Sequence, residues 1–328
     1  MSRIACGLRG TGSAVPDKVL TNEELSKLVD TSDEWITQRT GIKERRVVAE
    51  GESTSDLCIR AARQALEDAE LAPEDVDLIV LGTVTPDQHV PATACLIQAE
   101  IGAVNAAAFD LQAGCTGFVY ALSVAAQYIW SGTAKNVLVI GAECLTRITN
   151  YKDRTSCILF GDGAGAVVLS TDFRFGELCS ADIAADGKGY GVMYQHAGGA
   201  RVPLTHELLD DDAHKLVIRG REVYKFATNK MVELVKHEMS NNPELELGAV
   251  IPHQMNRRII ESARERLELP ENRVYVNIDR FGNTSSGSIP IALDEARRNG
   301  FFDDLDGKLL VLCAFGAGLT WGSVGIKW

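Results

Sequence analysis

Short, almost unbroken apolar runs recur along this chain between segments of helical periodicity. That alternation restricts it to a layered α/β fold. In the first half the runs fall at residues 76–84 (VDLIVLGTV), 107–111, 137–141 and 164–169. Runs of this length without polar alternation suit strands covered on both faces in a largely parallel sheet. Residues 51–69 carry Leu57, Ile59, Ala62, Ala65 and Leu66 at helical spacing, with Ser53 or Thr54 as cap. Residues 116–130 are apolar nearly all round, which predicts a helix in the centre of the protein. The second half repeats the order, with helices predicted at 224–239, 257–267 and 289–299 and strands at 247–252, 274–278 and 309–314. Glycine-rich turns are expected to follow strands at Gly161-Asp162-Gly163 and Gly316-Ala317-Gly318.

A chain of 328 residues exceeds what one hydrophobic core usually serves, so two domains or two halves of one large layered domain are expected. Cys115 follows Pro86 by 29 positions, and Asn283 follows Pro252 by 31. Each interval reads as strand end, helix, strand, then a small-residue loop that opens a helix. This is a loose internal duplication, and chance likeness of two α/β segments is the alternative. Under duplication, Cys115 and Asn283 occupy equivalent loops that a pseudo-twofold axis brings together. Residues 187–212 are rich in Gly and Asp and lack periodicity, which suggests a surface excursion or a flap. His196, His206 and His214 near Asp210–Asp212 offer metal ligands, but a solvated loop is the favoured reading and no metal site is expected.

The formal charge of -12 and the lack of a long basic run argue against nucleic acid as a partner. No run reaches the roughly 18 apolar residues of a membrane span, and no signal peptide is visible. Eight cysteines without CxxC spacing read as reduced thiols, so a cytoplasmic location is expected.

One of those cysteines stands apart. Cys115, in Phe109-Asp110-Leu111-Gln112-Ala113-Gly114-Cys115-Thr116-Gly117, lies where an apolar strand ends, small residues allow a tight turn and a buried helix begins. A helix N-terminus there is expected to stabilise a thiolate, and the turn's N–H groups an oxyanion. A buried cysteine at a strand-to-helix junction is the bland alternative. His253 follows an apolar strand, where side chains of layered α/β folds face a site. Asn283 lies in the small-residue loop Gly282-Asn283-Thr284-Ser285, read as following a strand. Taken singly, the histidine reads as structural and the asparagine as a turn residue.

Together these loops resemble the β-ketoacyl-acyl-carrier-protein synthase III family, the initiating condensing enzymes of the thiolase fold. The resemblance covers essentially the whole chain. It runs from Gly10-Thr11-Gly12-Ser13-Ala14-Val15-Pro16 through Thr31-Ser32-Asp33-Glu34-Trp35-Ile36, Arg39-Thr40-Gly41-Ile42 and the cysteine loop. It continues through Phe160-Gly161-Asp162-Gly163-Ala164-Gly165-Ala166, Gly220-Arg221-Glu222-Val223-Tyr224-Lys225, Pro252-His253-Gln254, Gly282-Asn283-Thr284-Ser285 and Phe315-Gly316-Ala317-Gly318.

The resemblance implies a thiolase-like α/β/α/β/α fold of two pseudo-twofold halves, 1–173 carrying the cysteine and 174–328 carrying the histidine and asparagine. It implies that acyl-coenzyme A acylates Cys115, and that decarboxylating malonyl-acyl carrier protein then takes the acyl group to start fatty acid synthesis. His253 and Asn283 would assist, with the N–H groups of Cys115 and Ala317 as oxyanion donors. Ala317 departs from the glycine frequent there, but its N–H remains. Trp35 and Arg154 would flank the coenzyme A adenine, while Thr31, Arg39, Gly220, Tyr224 and Asn256 would line the rest of its path. Val90, contributed across a homodimer interface, and Leu145 would shape the acyl pocket, and Arg258 and Lys225 would dock the carrier protein. No cofactor or metal is implied. The competing readings are an acyltransferase with a different acceptor, a Cys-His-Asn hydrolase of the papain-like order, and a non-catalytic interaction protein.

Overall fold

The computed structural model describes residues 3–328. Nine strands make up the main sheet: β1 (Gly7–Ala14), β2 (Leu78–Gly82), β3 (Ala107–Leu111), β4 (Asn136–Cys144), β5 (Asp162–Ser170), β6 (Phe175–Ala185), β7 (Leu247–Pro252), β8 (Leu309–Gly316) and β9 (Thr320–Lys327). Their order is β7-β8-β9-β6-β1-β5-β4-β2-β3. β1 and β6 touch only through Gly7↔Glu177 and Leu8↔Phe175. The sheet therefore divides at that seam into a part of five strands and a part of four.

The two parts share one pattern. β2 lies parallel to β4, which is antiparallel to β5, which is antiparallel to β1. Likewise β7 lies parallel to β8, which is antiparallel to β9, which is antiparallel to β6. The six long helices fall at matching places: α1 (Thr54–Asp68), α2 (Thr93–Ile101) and α3 (Gly117–Trp130) in the first part, α4 (Gly220–Asn241), α5 (Arg257–Arg266) and α6 (Ser288–Arg298) in the second. α1 packs on β1, β5 and β4 with α2 beside it, and α4 packs on α5, β8 and β9. Between the two sheet parts, α3 touches β4 and β2 on one side and β6 and β9 on the other, while α6 packs on β5, β1 and β7. These are the five layers α/β/α/β/α.

The central position of α3 explains its composition. Phe118, Val119, Leu122 and Ile129 are all buried, because the helix has sheet on both flanks. Burying each such side chain contributes roughly 1.5–3 kcal/mol. Close approach requires Gly82, where a Cβ would lie 2.5 Å from the Gly117 carbonyl carbon.

Three expectations are corrected. Residues 274–278 are not a strand: Val274 makes one parallel bridge to Val250, and Ile278–Phe281 is a short helix. The side chain of Gln254 replaces the missing ladder, accepting from Asn277 N–H at 3.1 Å and donating to the Tyr275 carbonyl at 3.1 Å. Asn283 thus follows a helical turn rather than a strand. Second, Asp162 and Gly163 open β5 instead of forming a turn after a strand. Third, residues 187–212 are partly ordered, with strand Met193–Gln195 paired to Leu216–Ile218 and helix His206–Asp210.

Candidate active site

Cys115 lies in the tight turn Gly114–Thr116 that joins β3 to α3. Gly114 takes φ +55°, a conformation that favours glycine. The loop after β8 presses against this turn: a Cβ on Gly316 would lie 2.7 Å from Cys115 N, and one on Gly114 would lie 3.0 Å from Ala317 N. The amides of Cys115 and Ala317 are thereby held in neighbouring backbone. The Thr320 hydroxyl fastens both loops, 2.9 Å from the Ala113 carbonyl, the Ala317 carbonyl and the Thr116 hydroxyl.

His253 caps β7, its N–H donating to the Cys313 carbonyl of β8 at 2.8 Å. Its Nδ1 lies 2.7 Å from Ser288 Oγ, which also accepts from Gln254 N–H. Among the described residues Nδ1 is the one acceptor within reach of that hydroxyl, so the serine proton points to Nδ1 and the imidazole proton sits on Nε2. Nε2 is buried and has no partner. Phe315 packs edge-on against the ring, with centroids 5.9 Å apart. Burial depresses the imidazole to about 3, so it is neutral. In the matching loop, Asn283 Oδ1 accepts from Ser285 N–H at 2.8 Å, which leaves the amide NH₂ for the cavity.

Burial pushes the Cys115 thiol up to about 12, against the opposing effect of its hydrogen bond with Ser285. Raising it that far from 9.0 disfavours the thiolate by about 4 kcal/mol. A helix N-terminus returns at most about 2 kcal/mol. These effects favour the thiol in the resting site over the expected thiolate. It has no imidazolium partner, which removes the basis of a papain-like ion pair.

Cys115, Asn283, Ala317 and Leu145 line one cavity of about 160 Å³ whose other walls are mainly apolar, with Ile148, Met193 and Leu216 among them. His253 is wholly buried and is not among the lining residues, whereas Met255, two positions on, is. A second cavity of about 220 Å³ is lined by Trp35, Arg39, Gly220, Tyr224, Asn256 and Arg258. The two share Leu159, Ile218 and Met255 as walls, so they lie side by side. Arg39 and Arg154 stack on the Trp35 indole, 4.5 and 4.9 Å from its ring centre. Arg154 also pairs with Asp30 at 2.9 Å and lies outside the cavity wall. Thr31 lies outside it too, with a buried hydroxyl that has no partner.

The remaining expected residues divide. Lys225 is exposed one residue past Tyr224. Arg258 lies above the Tyr224 ring at 6.0 Å and belongs to the cavity wall. Val90 is 84 % exposed and lies outside the reaction cavity. Among the described residues the one metal-like grouping is Asp182, His237 and Glu238, away from this cavity, and His196, His206 and His214 form none.

Sequence reasoning missed several participants. Met193, Tyr194 and Gln195 from the 187–212 segment form part of the cavity wall. The signal was the apolar triplet Val192-Met193-Tyr194 inside a Gly- and Asp-rich stretch. Ser285, Thr320 and Glu143 carried no signal, because each depends on contacts across the two halves, and Ser288 meets His253 only through the packing of α6 beside β7.

Comparison with known proteins agrees with this geometry. Residues 109–187 match the family described as 3-oxoacyl-[acyl-carrier-protein (ACP)] synthase III, and residues 239–328 match its C-terminal part. A β-ketoacyl-[acyl-carrier-protein] synthase III of Caldanaerobacter subterraneus subsp. tengcongensis is 51% identical over 331 aligned residues, covering 99% of this chain and 98% of that one. One from Clostridioides difficile is 48% identical, covering 98% of each. The crystal structure of 3-oxoacyl-[acyl-carrier-protein] synthase III from Aquifex aeolicus VF5 superposes with a TM-score of 0.89 at 44% identity, covering 98% of this chain and 100% of that one.

Proposed function

The chain belongs to the β-ketoacyl-acyl-carrier-protein synthase III family, and from that premise we propose how its residues divide the work. It is a condensing acyltransferase that initiates fatty acid synthesis by joining an acyl thioester to malonyl-acyl carrier protein. Cys115 takes the acyl group from coenzyme A as the covalent nucleophile. The N–H groups of Cys115 and Ala317 hold the tetrahedral oxyanion. Loss of carbon dioxide from the malonyl thioester leaves negative charge on the thioester oxygen. Nε2–H of neutral His253 and the amide of Asn283 donate to that oxygen. A carboxylate there would repel it. No metal or redox cofactor enters these steps.

The observation that carries this reading is the convergence of Cys115, Asn283 and Ala317 on one cavity, backed by a buried His253 whose Nε2 has no partner. The cavity past Trp35, Arg39, Gly220, Tyr224 and Asn256 is the coenzyme A path, with Thr31 and Arg154 at its outer end. The halves 1–173 and 174–328 are the two repeats, their boundary falling just ahead of β6. Leu145 shapes the acyl end of the reaction cavity. The carrier docks at Lys225 and Arg258, beside the cavity mouth. A homodimer is supported by β3, an edge strand with a free side and residues only partly buried, and by exposed Leu96, Val104 and Val90 nearby in sequence. Pairing there would bring Val90 to its partner's acyl pocket. Among the described residues no helix is long and apolar enough to cross a membrane. A location in the cytoplasm fits reduced cysteines.

The test is product identification after mixing the protein with acetyl-coenzyme A and malonyl-carrier protein. The reading expects a β-ketoacyl-carrier protein, carbon dioxide and free coenzyme A. Release of free acetate, or transfer to oxygen or nitrogen, would replace it with the hydrolase or alternative-acceptor reading.

A further inference from the structure

The division of labour above leaves the thiol proton of Cys115 without a destination. The resting site favours the thiol, which must lose its proton to attack a thioester. His253 is a poor acceptor, since burial disfavours its imidazolium and Nδ1 is already engaged by Ser288. Asn283 is not a base.

One buried carboxyl is in reach. Glu143, at the end of β4, is 0 % exposed and among the described residues has no cationic partner. Neutral donors alone surround it: Thr83 Oγ1 at 3.2 Å, Val84 N at 3.0 Å, Thr85 N at 3.1 Å, Thr85 Oγ1 at 2.7 Å, Ser286 Oγ at 3.0 Å and Ser285 Oγ at 3.2 Å. Ser285 lines the reaction cavity together with Cys115. Its backbone takes φ +49°, which a residue with a side chain rarely adopts, and Asn283 Oδ1 holds it there. The strained loop thus sets one hydroxyl between a nucleophilic sulfur and a carboxylate from the other half of the molecule.

We propose that the Cys115 proton leaves through the Ser285 hydroxyl to the carboxylate of Glu143 and returns by the same path. The proposal rests on the reading of Cys115 as nucleophile. In acylation the S–H bond breaks, its proton passes to Ser285 Oγ, and the serine proton passes to Glu143. The sulfur electron pair forms the bond to the acyl carbon, and the carbonyl π pair becomes the oxyanion. Collapse expels coenzyme A as a thiolate, which takes a proton from solvent. In condensation the malonyl group loses carbon dioxide, the carbon nucleophile attacks the acyl-cysteine, and collapse expels the Cys115 thiolate. That thiolate recovers the proton from Glu143 through Ser285. One solvent proton is consumed per turnover, as the overall reaction requires.

The electrostatics suit this exchange. A single negative charge moves between sulfur and carboxylate, and the buried site never holds two. Burial raises Glu143 to about 7, where a general base is most useful near neutral pH, with its hydrogen bonds from Thr85, Val84, Ser286 and Ser285 opposing the rise. The titratable groups that feel its charge are the thiols of Cys58, Cys115 and Cys144, all raised by burial.

The experiment is single-turnover acylation by acetyl-coenzyme A from pH 5.5 to 9, followed by the mass of the protein. Wild type should show a rate that rises with pH through about 7 and then levels. Glu143→Gln should acylate on the order of a hundredfold more slowly at pH 8 and lose the inflection near neutrality. Ser285→Ala should do the same, and Glu143→Asp should keep an inflection at a reduced rate. A Glu143→Gln protein with the wild-type rate and profile would overturn the relay. So would a uniform loss that keeps the inflection, which is the mark of a purely structural role. If Glu143→Gln does not fold, Ser285→Ala decides alone: loss of the inflection supports the relay, and a retained inflection overturns it. Failure of wild type to acquire an acyl group at Cys115 would instead remove the nucleophile reading beneath the proposal.

Discussion

Ser288 Oγ lies 2.7 Å from His253 Nδ1, and this contact between α6 and the end of β7 fixes which imidazole nitrogen carries the proton. Ser288→Ala should release the tautomer. We expect decarboxylation of malonyl-carrier protein to fall about tenfold or more, while acylation of Cys115 by acetyl-coenzyme A stays near wild type. Equal loss in both half-reactions would show that the serine only supports the fold.

The donors should separate from the nucleophile. Cys115→Ala should abolish acyl-enzyme formation. His253→Ala and Asn283→Ala should each lower condensation by about a hundredfold or more and affect acylation far less. Rapid-quench measurement of the two half-reactions checks this. An Asn283→Ala protein with unchanged condensation would remove asparagine from the chemistry.

Neutral His253 has a signature in pH. In protein already acylated, the imidazole should add no inflection to condensation from pH 6 to 8, because it titrates near 3 in the fold; an inflection near 7 belongs to Glu143 and should vanish in Glu143→Gln. Stability carries the opposite face of the same shift. The unfolded imidazole titrates near 6.5, so between about 3 and 6.5 the unfolded chain binds more protons. This contribution is complete above about 6.5 and is lost as pH falls toward 3. Melting curves from pH 4 to 7 should therefore be steeper in pH for wild type than for His253→Asn.

Carrier docking and coenzyme A binding overlap at the cavity mouth. Arg258 belongs to the cavity wall, so Arg258→Glu should weaken both thioesters. Lys225 is exposed outside that wall, and Lys225→Glu should raise KM for malonyl-carrier protein several-fold while sparing acylation. Equal effects of Lys225→Glu on both substrates would move the docking surface elsewhere.

Starter size follows from Val90 if a partner subunit's pocket receives it. Wild type should acylate with isobutyryl- or longer coenzyme A thioesters, since each extra CH₂ in apolar surroundings is worth about 0.8 kcal/mol. Val90→Phe should narrow the range toward acetyl. Strict acetyl preference in wild type would rule this out.

The layered fold was legible because its strands are buried on both faces and therefore spell apolar runs. Residues 247–252 match β7 end for end, and 107–111 match β3. The all-round apolar 116–130 segment marked the central helix. Residues 274–278 misled because Val274 and Val276 look like a strand, whereas the Gln254 side chain takes the hydrogen bonds a ladder would have made. Cys115, His253 and Asn283 were visible as chemically able residues at loop positions. Their charge states were not, because burial set them. Glu143 read as one acid at the end of an apolar strand, and its role emerges only where Ser285 and Ser286 of the other half close over it.

The central claim is that Cys115 carries an acyl group bound for a carbon acceptor. The most direct measurement is the mass of the peptide containing Cys115 after exposure to acetyl-coenzyme A, then after a chase with malonyl-carrier protein. The account predicts an acetyl adduct on that peptide, stable in buffer alone and discharged by the chase into a β-ketoacyl-carrier protein. An adduct on another residue, or one that discharges to free acetate without malonyl-carrier protein, would contradict it.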